Sequence, residues 1–307
     1  MTEHRHHSHH HEHAHDRESG IGVAFFLNAG FTVLEIAGGL WTNSMAILAD
    51  AVHDLGDSFA LASAWYFERL SGRGRDRYYS YGYRRFSLLG ALISTIVLIA
   101  GGMAVLWRAV PRLLNPEPVH AEGMIAFAVL GVIVNGLAAL RLRRQKGMNA
   151  RVVLLHLLED VLGWIAVLLT AVVLVFRDIP VLDAGLSILI TIWVLRRVWI
   201  NFRRILQVFL QGTPEHLDPV AIESELTGIE GVRSLHHVHL WSMDGVRHIF
   251  TAHVVIDPSF KGERRRGIRE EAREILDRYE IFHSTLELEP GDEPCGMEDV
   301  PCGSPRK

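Results

Sequence analysis

From about residue 21 to about residue 200 the chain alternates long apolar runs with short polar connections. Six runs, at approximately 21–41, 47–68, 86–107, 122–141, 152–176 and 181–200, each reach the roughly 20 residues that a helix needs to cross a bilayer core. The pattern changes after Gln211-Gly212-Thr213-Pro214. Asp218-Pro219 reads as the N-cap and first turn of a helix running to about Thr227. Alternating segments near 233–241 and 247–256, joined by a turn at Asp244-Gly245, read as two strands. A charged helix at about 262–279 and a strand near 283–289 complete an α-β-β-α-β order, the pattern of a small α+β sandwich.

These elements predict an α-helical membrane protein in four parts. Residues 1–19 are a disordered, His-rich tail, and 20–210 a domain of six transmembrane helices. Residues 211–290 form a small α+β domain, and 291–307 a loose C-terminal tail. The first twenty residues are polar rather than basic-then-apolar, which argues against a cleaved signal peptide.

A net charge of −4 says little until its placement is considered. Arg69, Arg73, Arg75, Arg77, Arg84 and Arg85 follow the second run, Arg141, Arg143, Arg144, Lys146 and Arg151 the fourth, and Arg196, Arg197, Arg203 and Arg204 the sixth. The other connections carry few positive charges. By the positive-inside rule both termini and the soluble domain are cytoplasmic. This regular alternation also argues against nucleic acid as a partner. Cys295 and Cys302 are the only cysteines, so no disulfide framework exists and a cytoplasmic tail keeps them as thiols. No G-x-x-x-x-G-K-[ST] pattern occurs, which excludes a primary ATP-driven pump of that kind.

The tail interleaves His4, His6, His7, His9, His10, His11, His13 and His15 with Glu, Asp and Arg. An expression tag is the plain explanation, but tags are usually uninterrupted, and a native metal-collecting tract fits better. His11-Glu12-His13-Ala14-His15 matches H-E-x-x-H, which requires a stable helix that a flexible tract would not supply.

The chemistry lies inside the apolar runs. Asp50, His53, Asp54 and Asp57 fall at i, i+3, i+4 and i+7, on one helical stripe, and His156, Glu159 and Asp160 repeat the theme in the fifth run. A charge at bilayer centre costs about 2.5–3.5 kcal/mol on insertion scales, so such residues turn inward and find partners. Interhelical hydrogen bonding would explain one of them comfortably and two matching His-x-x-x-Asp pairs poorly. His53, Asp57, His156 and Asp160 together offer two imidazoles and two carboxylates, a tetrahedral set suited to Zn²⁺. Ca²⁺ and Mg²⁺ want more oxygen ligands and Cu(I) wants sulfur, while Co²⁺ and Cd²⁺ remain compatible. Imidazole must be neutral to ligate, so protons and metal compete and a proton gradient can drive exchange.

The chain closely resembles the cation diffusion facilitator family, in its zinc-transporter branch, from about Asn28 to Pro290. The carrying motifs are Asn28-x-x-Phe31-x-x-x-Glu35-x-x-x-Gly39, Leu48-Ala49-Asp50-Ala51-x-His53-x-x-x-Asp57, Tyr81-Gly82-Tyr83-Arg84-Arg85-Phe86, Asn135, Leu155-His156-x-x-x-Asp160 and Gly212-Thr213-Pro214. The resemblance implies a homodimer with a metallochaperone-like cytoplasmic domain, working as a Zn²⁺/H⁺ antiporter by alternating access. It matches His53, Asp57, His156 and Asp160 to the transport site and gives Asp50 a supporting or proton-linked role. Family members with Asp at the first His position tend to handle Mn²⁺ or Fe²⁺, so His53 favours zinc. Ser87 and Ser94 depart from the family's usual Glu and Asn, and the loop after the second span lacks the His residues of some bacterial members.

In the soluble domain, His236-His237-Val238-His239-Leu240-Trp241 resembles the family's V-H-D-L-H-V-W strand, Ala252-His253-Val254 its A-H-V, and Leu286-Glu287-Leu288-Glu289 its final strand. That matching makes His236, His253 and Glu289 the candidate cytoplasmic ligands of a regulatory or structural Zn²⁺. Strand alternation agrees in part: Phe250, Ala252, Val254 and Ile256 share one face, with Thr251 and His253 on the other, and Glu287 and Glu289 share a face. A solvated polar sheet face is the competing explanation. His237, His239 and His283 are poorer candidates, Cys295 and Cys302 weak ones, and His120, His216 and His248 read as structural or surface residues.

The sequence thus predicts a zinc-exporting antiporter, with the lipid bilayer, Zn²⁺, H⁺ and a second copy of the chain as partners, in a bacterial cytoplasmic membrane. The alternatives are a broader Zn²⁺/Co²⁺/Cd²⁺ carrier, a non-transporting metal sensor, and an intramembrane metalloenzyme with Glu159 as base. The enzyme would need an open coordination position that four protein ligands close.

Overall fold

The computed structural model describes residues 12–71, 73–143 and 148–291. Six long helices come first: α1 (Glu12–Thr42), α2 (Met45–Ser71), α3 (Phe86–Leu114), α4 (Ala121–Leu142), α5 (Met148–Phe176) and α6 (Val181–Phe209). They are followed by α7 (Pro219–Thr227), β1 (Val232–Ser242), β2 (His248–Ile256), α8 (Glu263–Arg278) and β3 (Ile281–Pro290), the expected α-β-β-α-β order. Two compact units result, one holding the helices up to Arg73 and Leu89–Phe202, the other Gly74–Leu88 and the chain from Arg203 onward.

One expectation is corrected at the N-terminus. Residues 12–19, read as disordered tail, are the start of α1. No Gly or Pro interrupts Glu12–Ser19, and Glu, Ala and Arg are good helix formers, so nothing local stops the helix at the edge of its apolar run. The rest of the His tract, residues 1–11, and the tail from 292 with Cys295 and Cys302 lie outside the described residues.

Among the described residues, four stretches are long and apolar enough to cross a membrane: Ala24–Thr42, Phe86–Leu114, Ala121–Leu142 and Val153–Phe176. Helices α2 and α6 fall short of that measure because they carry the ionisable residues, Asp50, His53, Asp54 and Asp57 in one and Asp183, Arg196 and Arg197 in the other. The six-helix domain is therefore four helices that pass as apolar spans, although α5 among them carries His156, Glu159 and Asp160, plus two that do not.

Small residues let these helices approach closely. Ala46 and Ile47 of α2, Met124 and Ala128 of α4, and Trp164, Val167 and Ala171 of α5 form one buried cluster. Met45 and Ala49 pack with Val105 and Ala109 of α3 in another. Gly131 of α4 lies directly against the Trp164 indole, where even a Cβ has no room. Large apolar side chains such as Trp107, Leu137 and Leu189 stand exposed, as on a lipid-facing surface.

The start of α2 is held from another helix. Asp183, in the first turn of α6 and 1% exposed, accepts hydrogen bonds from Ser44 Oγ (2.6 Å), Met45 N (2.7 Å) and Ala46 N (3.2 Å). A carboxylate here satisfies donors that a helix start leaves unpaired and meets the positive end of its dipole. Arg112 of α3 donates to the Asn43 carbonyl and side-chain oxygens at 2.9 and 2.7 Å, closing the same turn. His120 caps α4, its Nδ1 accepting from Gly123 N at 3.0 Å, which is the structural role expected of it. Ser87 and Ser94, the departures from the family pattern, bond to the backbone oxygens of Arg84 and Gly90.

In the second unit the sheet order is β1-β2-β3, with β1 and β2 antiparallel and β2 and β3 parallel. Helix α8 makes the crossover that a parallel pair requires. Ile222 and Leu226 of α7, Leu240 of β1, Phe250, Ala252, Val254 and Ile256 of β2, and Ile268, Ala272 and Leu276 of α8 form its core. The pairing of β1 with β2 slips between His236, opposite His253, and His239, opposite Thr251. One extra residue on β1 makes a β-bulge there, and His237 takes φ 51°.

Close packing at Gly131 gives a direct expectation. Gly131→Val should destabilise the helical unit by about 1–3 kcal/mol, the usual scale of overpacking, read as a lower thermal unfolding midpoint in detergent. Gly136→Ala in the same helix, where a Cβ meets nothing within 4 Å, should leave the midpoint almost unchanged. Equal effects of the two substitutions would contradict the packing described.

Candidate metal centres

Helical periodicity places His53 and Asp57 one turn apart on α2, and His156 and Asp160 one turn apart on α5. The structure brings the two pairs together. His156 Nε2 lies 2.8 Å from Asp57 Oδ2 and 3.7 Å from Asp160 Oδ2. His53 Nε2 lies 3.7 Å from Asp57 Oδ2 and 3.9 Å from Asp160 Oδ1, and the two imidazole centroids are 5.5 Å apart. Bonds of 2.0–2.1 Å around tetrahedral Zn²⁺ set neighbouring ligand atoms roughly 3.3 Å apart, which these separations bracket. Ligand atoms of His53, Asp57 and His156 all fall within 4.8 Å of one another, whereas Asp160 reaches both imidazoles but stands outside that mutual distance.

The four residues line a cavity of about 220 Å³. Asp50 contributes to its wall, as do Glu159 and Arg197, which form an ion pair with each other. Glu159 therefore faces a guanidinium, which accounts for a carboxylate that the four-ligand reading leaves over. Asn28 of α1 donates to the Asp54 carbonyl and to Ser58 Oγ, both at 3.0 Å, and so ties α1 to the turn of α2 that bears the ligands. Glu35, 1% exposed, lies near Asp54 and Asp50. The sequence offered it only as a motif member, and its burial became visible only in the fold.

The second cluster is on the sheet. Glu289 of β3 presents Oε1 at 2.6 Å from His253 Nδ1 and Oε2 at 3.1 Å from His236 Nε2. His236 Nε2 is buried, and although the carboxylate is close, the alignment is too poor for a hydrogen bond. An imidazole nitrogen left in that condition beside another imidazole and a carboxylate fits a metal-ligand role. Glu287 lies 3.6 Å from His253 Nε2. His236, His253 and Glu289, named from the sequence, thus share one place. His237, set aside as a poorer candidate, lies beside them, its ring centroid 5.1 Å from that of His236 and 4.9 Å from that of His253. Desolvation and the imidazoles of His253, His236 and His239 hold it below the ordinary histidine range. The bulge, which interrupts the alternation of β1, is what turns His237 to the same face as His236.

His216 and His248 are elsewhere in the same unit, with ring centroids 4.9 Å apart. His248 is 3% exposed, a buried structural residue.

Comparison with known proteins places the chain. Residues 21–210 match the cation efflux transmembrane domain, and residues 214–291 the cytoplasmic domain of cation efflux proteins. The chain belongs to the cation diffusion facilitator, or cation efflux, family. It is 31% identical over 286 residues to the metal cation efflux system protein CzcD of Cupriavidus metallidurans, covering 92% of this chain and 89% of that one. It is 34% identical over 271 residues to the zinc transporter ZitB of Pectobacterium atrosepticum, covering 87% and 83%. To the cadmium, cobalt and zinc/H(+)-K(+) antiporter of Bacillus subtilis it is 29% identical over 271 residues, 87% of each. The cation efflux family comprises membrane transporters of metal cations, not enzymes. That, rather than the lack of a helix, sets aside the metalloprotease pattern at His11–His15, since residues 12–15 are helical and His11 lies outside the described residues.

Burial pushes the His248 imidazole below its ordinary value, and the neighbouring His216 pushes the same way against Asp244 and Glu280. A base depressed in the folded state binds its proton more readily when unfolded. Its stabilising contribution is therefore full above the unfolded value of about 6.5 and is lost as pH falls toward the folded one. Protection factors of β1 and β2 amides, corrected for the intrinsic pH dependence of exchange, should fall below that pH, and His248→Gln should flatten this dependence whatever it does to the baseline.

Proposed function

We propose that this cation efflux protein exports Zn²⁺ from the cytoplasm in exchange for protons, through the site formed by His53, Asp57, His156 and Asp160. The convergence of two imidazoles and two carboxylates from α2 and α5 carries the reading. With both imidazoles neutral and both carboxylates ionised the set has charge −2, which one Zn²⁺ balances. Removing charge from a low-dielectric site is costly unless it is compensated, so the set alternates between a metal and protons. The 2.8 Å contact between His156 and Asp57 is suited to hold such a proton once the metal has left. Asp50, on the wall of the same cavity, is suited to a supporting or proton-linked part.

Alternating access then requires only that the cavity open to one side when metal-loaded and to the other when protonated. The Arg-rich connections after α2, α4 and α6 support cytoplasmic termini, and the bacterial relatives support a bacterial cytoplasmic membrane. The cytoplasmic domain, matched to a family dimerisation domain, supports a homodimer. In that domain His236, His253 and Glu289 are placed to hold a resident zinc that would tie β1, β2 and β3 together.

A broader carrier of Zn²⁺, Co²⁺ and Cd²⁺ is the second reading. The Bacillus subtilis relative, named for those three metals, favours it.

Sealed vesicles containing the protein and a zinc-sensitive dye, under an imposed pH gradient, test the proposal. Gradient-driven zinc flux should vanish in both Asp57→Ala and Asp160→Ala. Flux that persists in either would remove the four-residue site, and no flux in the unmodified protein would remove antiport. His53→Asp should move the preference toward Mn²⁺, because it replaces imidazole nitrogen with hard oxygen.

A further inference from the structure

The bulge in β1 is recorded in which residues reach the core. Leu235, Val238 and Leu240 all pack on the apolar side of the sheet. A regular strand alternates, so the interval of three between Leu235 and Val238 leaves two consecutive residues, His236 and His237, on the opposite face. Across from His236 on β2 is His253, whose partner on β3 is Glu287, and Glu289, two residues along the same face, reaches back to His253 Nδ1 at 2.6 Å. The three imidazole rings are mutually equidistant, with centroids 5.1, 5.2 and 4.9 Å apart.

We infer that His237 is a ligand of the cytoplasmic site, which the bulge converts from three protein ligands to four: His236, His237, His253 and Glu289. The inference rests on the reading of His236, His253 and Glu289 as metal ligands and adds a residue to it. Three nitrogens and one carboxylate oxygen form a closed tetrahedral set, the ligand number of structural zinc sites, here on strands fixed by backbone pairing. The backbone points the same way. His237 sits at φ 51°, where glycine or asparagine would be accommodated at less cost. Strain of this kind persists where the surrounding structure holds it and concentrates at ligand-binding positions. A bulge serving only to twist the strand would need no imidazole at its strained residue. His237 is outside the set whose ligand atoms already lie within 4.8 Å of one another, so binding an ion would require its ring to move toward that set.

The consequence is a cytoplasmic domain with a resident zinc, distinct in function from the exchangeable ion of the membrane site. With a closed shell, that zinc cross-links strands β1, β2 and β3 and turns over slowly.

The test uses the full-length protein in detergent, with Asp57→Ala and Asp160→Ala to silence the membrane site, titrated with Co²⁺ and then displaced with Zn²⁺. Co²⁺ in a four-ligand tetrahedral site gives an intense visible absorption that weakens as the site opens to water. His237→Asn is the informative substitution, because asparagine tolerates φ 51° and preserves the bulge while its shorter side chain cannot reach the ion. It should lower the Co²⁺ band and weaken binding at least about 10-fold, the lower end of what disturbing even an outer-shell partner costs. His253→Gln should abolish the tetrahedral Co²⁺ band, whatever Co²⁺ the His-rich tract still takes up without it. Loss with His253→Gln but an unchanged spectrum and affinity with His237→Asn would leave a three-ligand site and overturn the inference. No Co²⁺ binding in the parent would remove the cytoplasmic site itself, and the role of His237 with it.

Discussion

Ionisable groups at membrane depth are the constraint from which the rest of the structure follows. Helix α2 carries Asp50, His53, Asp54 and Asp57 on a single stripe, and each would cost kilocalories against lipid. The stripe is tolerable only if other helices cover it. Asn28 of α1 satisfies Asp54 O and Ser58 Oγ on one flank, and His156 and Asp160 of α5 meet His53 and Asp57 on another. Apolar packing through Ala46, Ile47, Met124 and Trp164 sets the distance at which these partners can meet. The same burial that makes the stripe expensive makes it useful, because charges in such a place must be balanced and can be balanced by either a metal or protons.

The two candidate metal sites solve opposite problems with similar ligands. In the membrane domain the ligands come as helical i, i+4 pairs, with Asp160 less closely gathered than the other three. That looseness suits an ion that must leave. On the sheet, ligands come from three strands fixed by backbone pairing, and Glu289 already spans His236 and His253 at 3.1 and 2.6 Å. Helices can rotate or slide as units, whereas a ladder of strand hydrogen bonds cannot shift by less than a residue without turning its side chains over.

Much of this was legible in the sequence because two periodicities carried it. Apolar runs gave the six helices, i, i+4 spacing put His53 with Asp57 and His156 with Asp160 on single helix faces, and the family resemblance, with which strand alternation agreed in part, singled out His253 and Glu289. What escaped did so for identifiable reasons. The start of α1 lies in polar sequence with no breaking residue, so hydropathy and helix do not end together. His237 ranked below His236 beside the match to the family's strand, and its nearness to His236 and His253 follows from a bulge that only the pairing of β1 with β2 shows, although Leu235-x-x-Val238-x-Leu240 contains the irregular step. Asp183 reads as an acid stabilising the first turn of its own helix. Its service to the start of α2 depends on a contact across more than a hundred residues, which no local pattern encodes.

That contact limits how the membrane site can move. Met45 precedes His53 by eight residues, about 12 Å along a helix at 1.5 Å per residue. One end of α2 is therefore bonded through Ser44, Met45 and Ala46 to Asp183, and the ligands sit two turns beyond. A rigid rotation of α2 either carries the start of α6 with it or breaks three hydrogen bonds to a buried carboxylate. Hydrogen bonds to charged groups are each worth about 1.5–3 kcal/mol, so the second course costs several kilocalories at every cycle. The first costs far less. In the proposed cycle, opening the cavity to either side would then be a movement of α2 and α6 together, and α6 carries Arg197, Trp193 and Asn201 in the cavity wall. The helix that holds half the ligands and the helix that lines the opposite wall are thereby coupled at the end away from the metal.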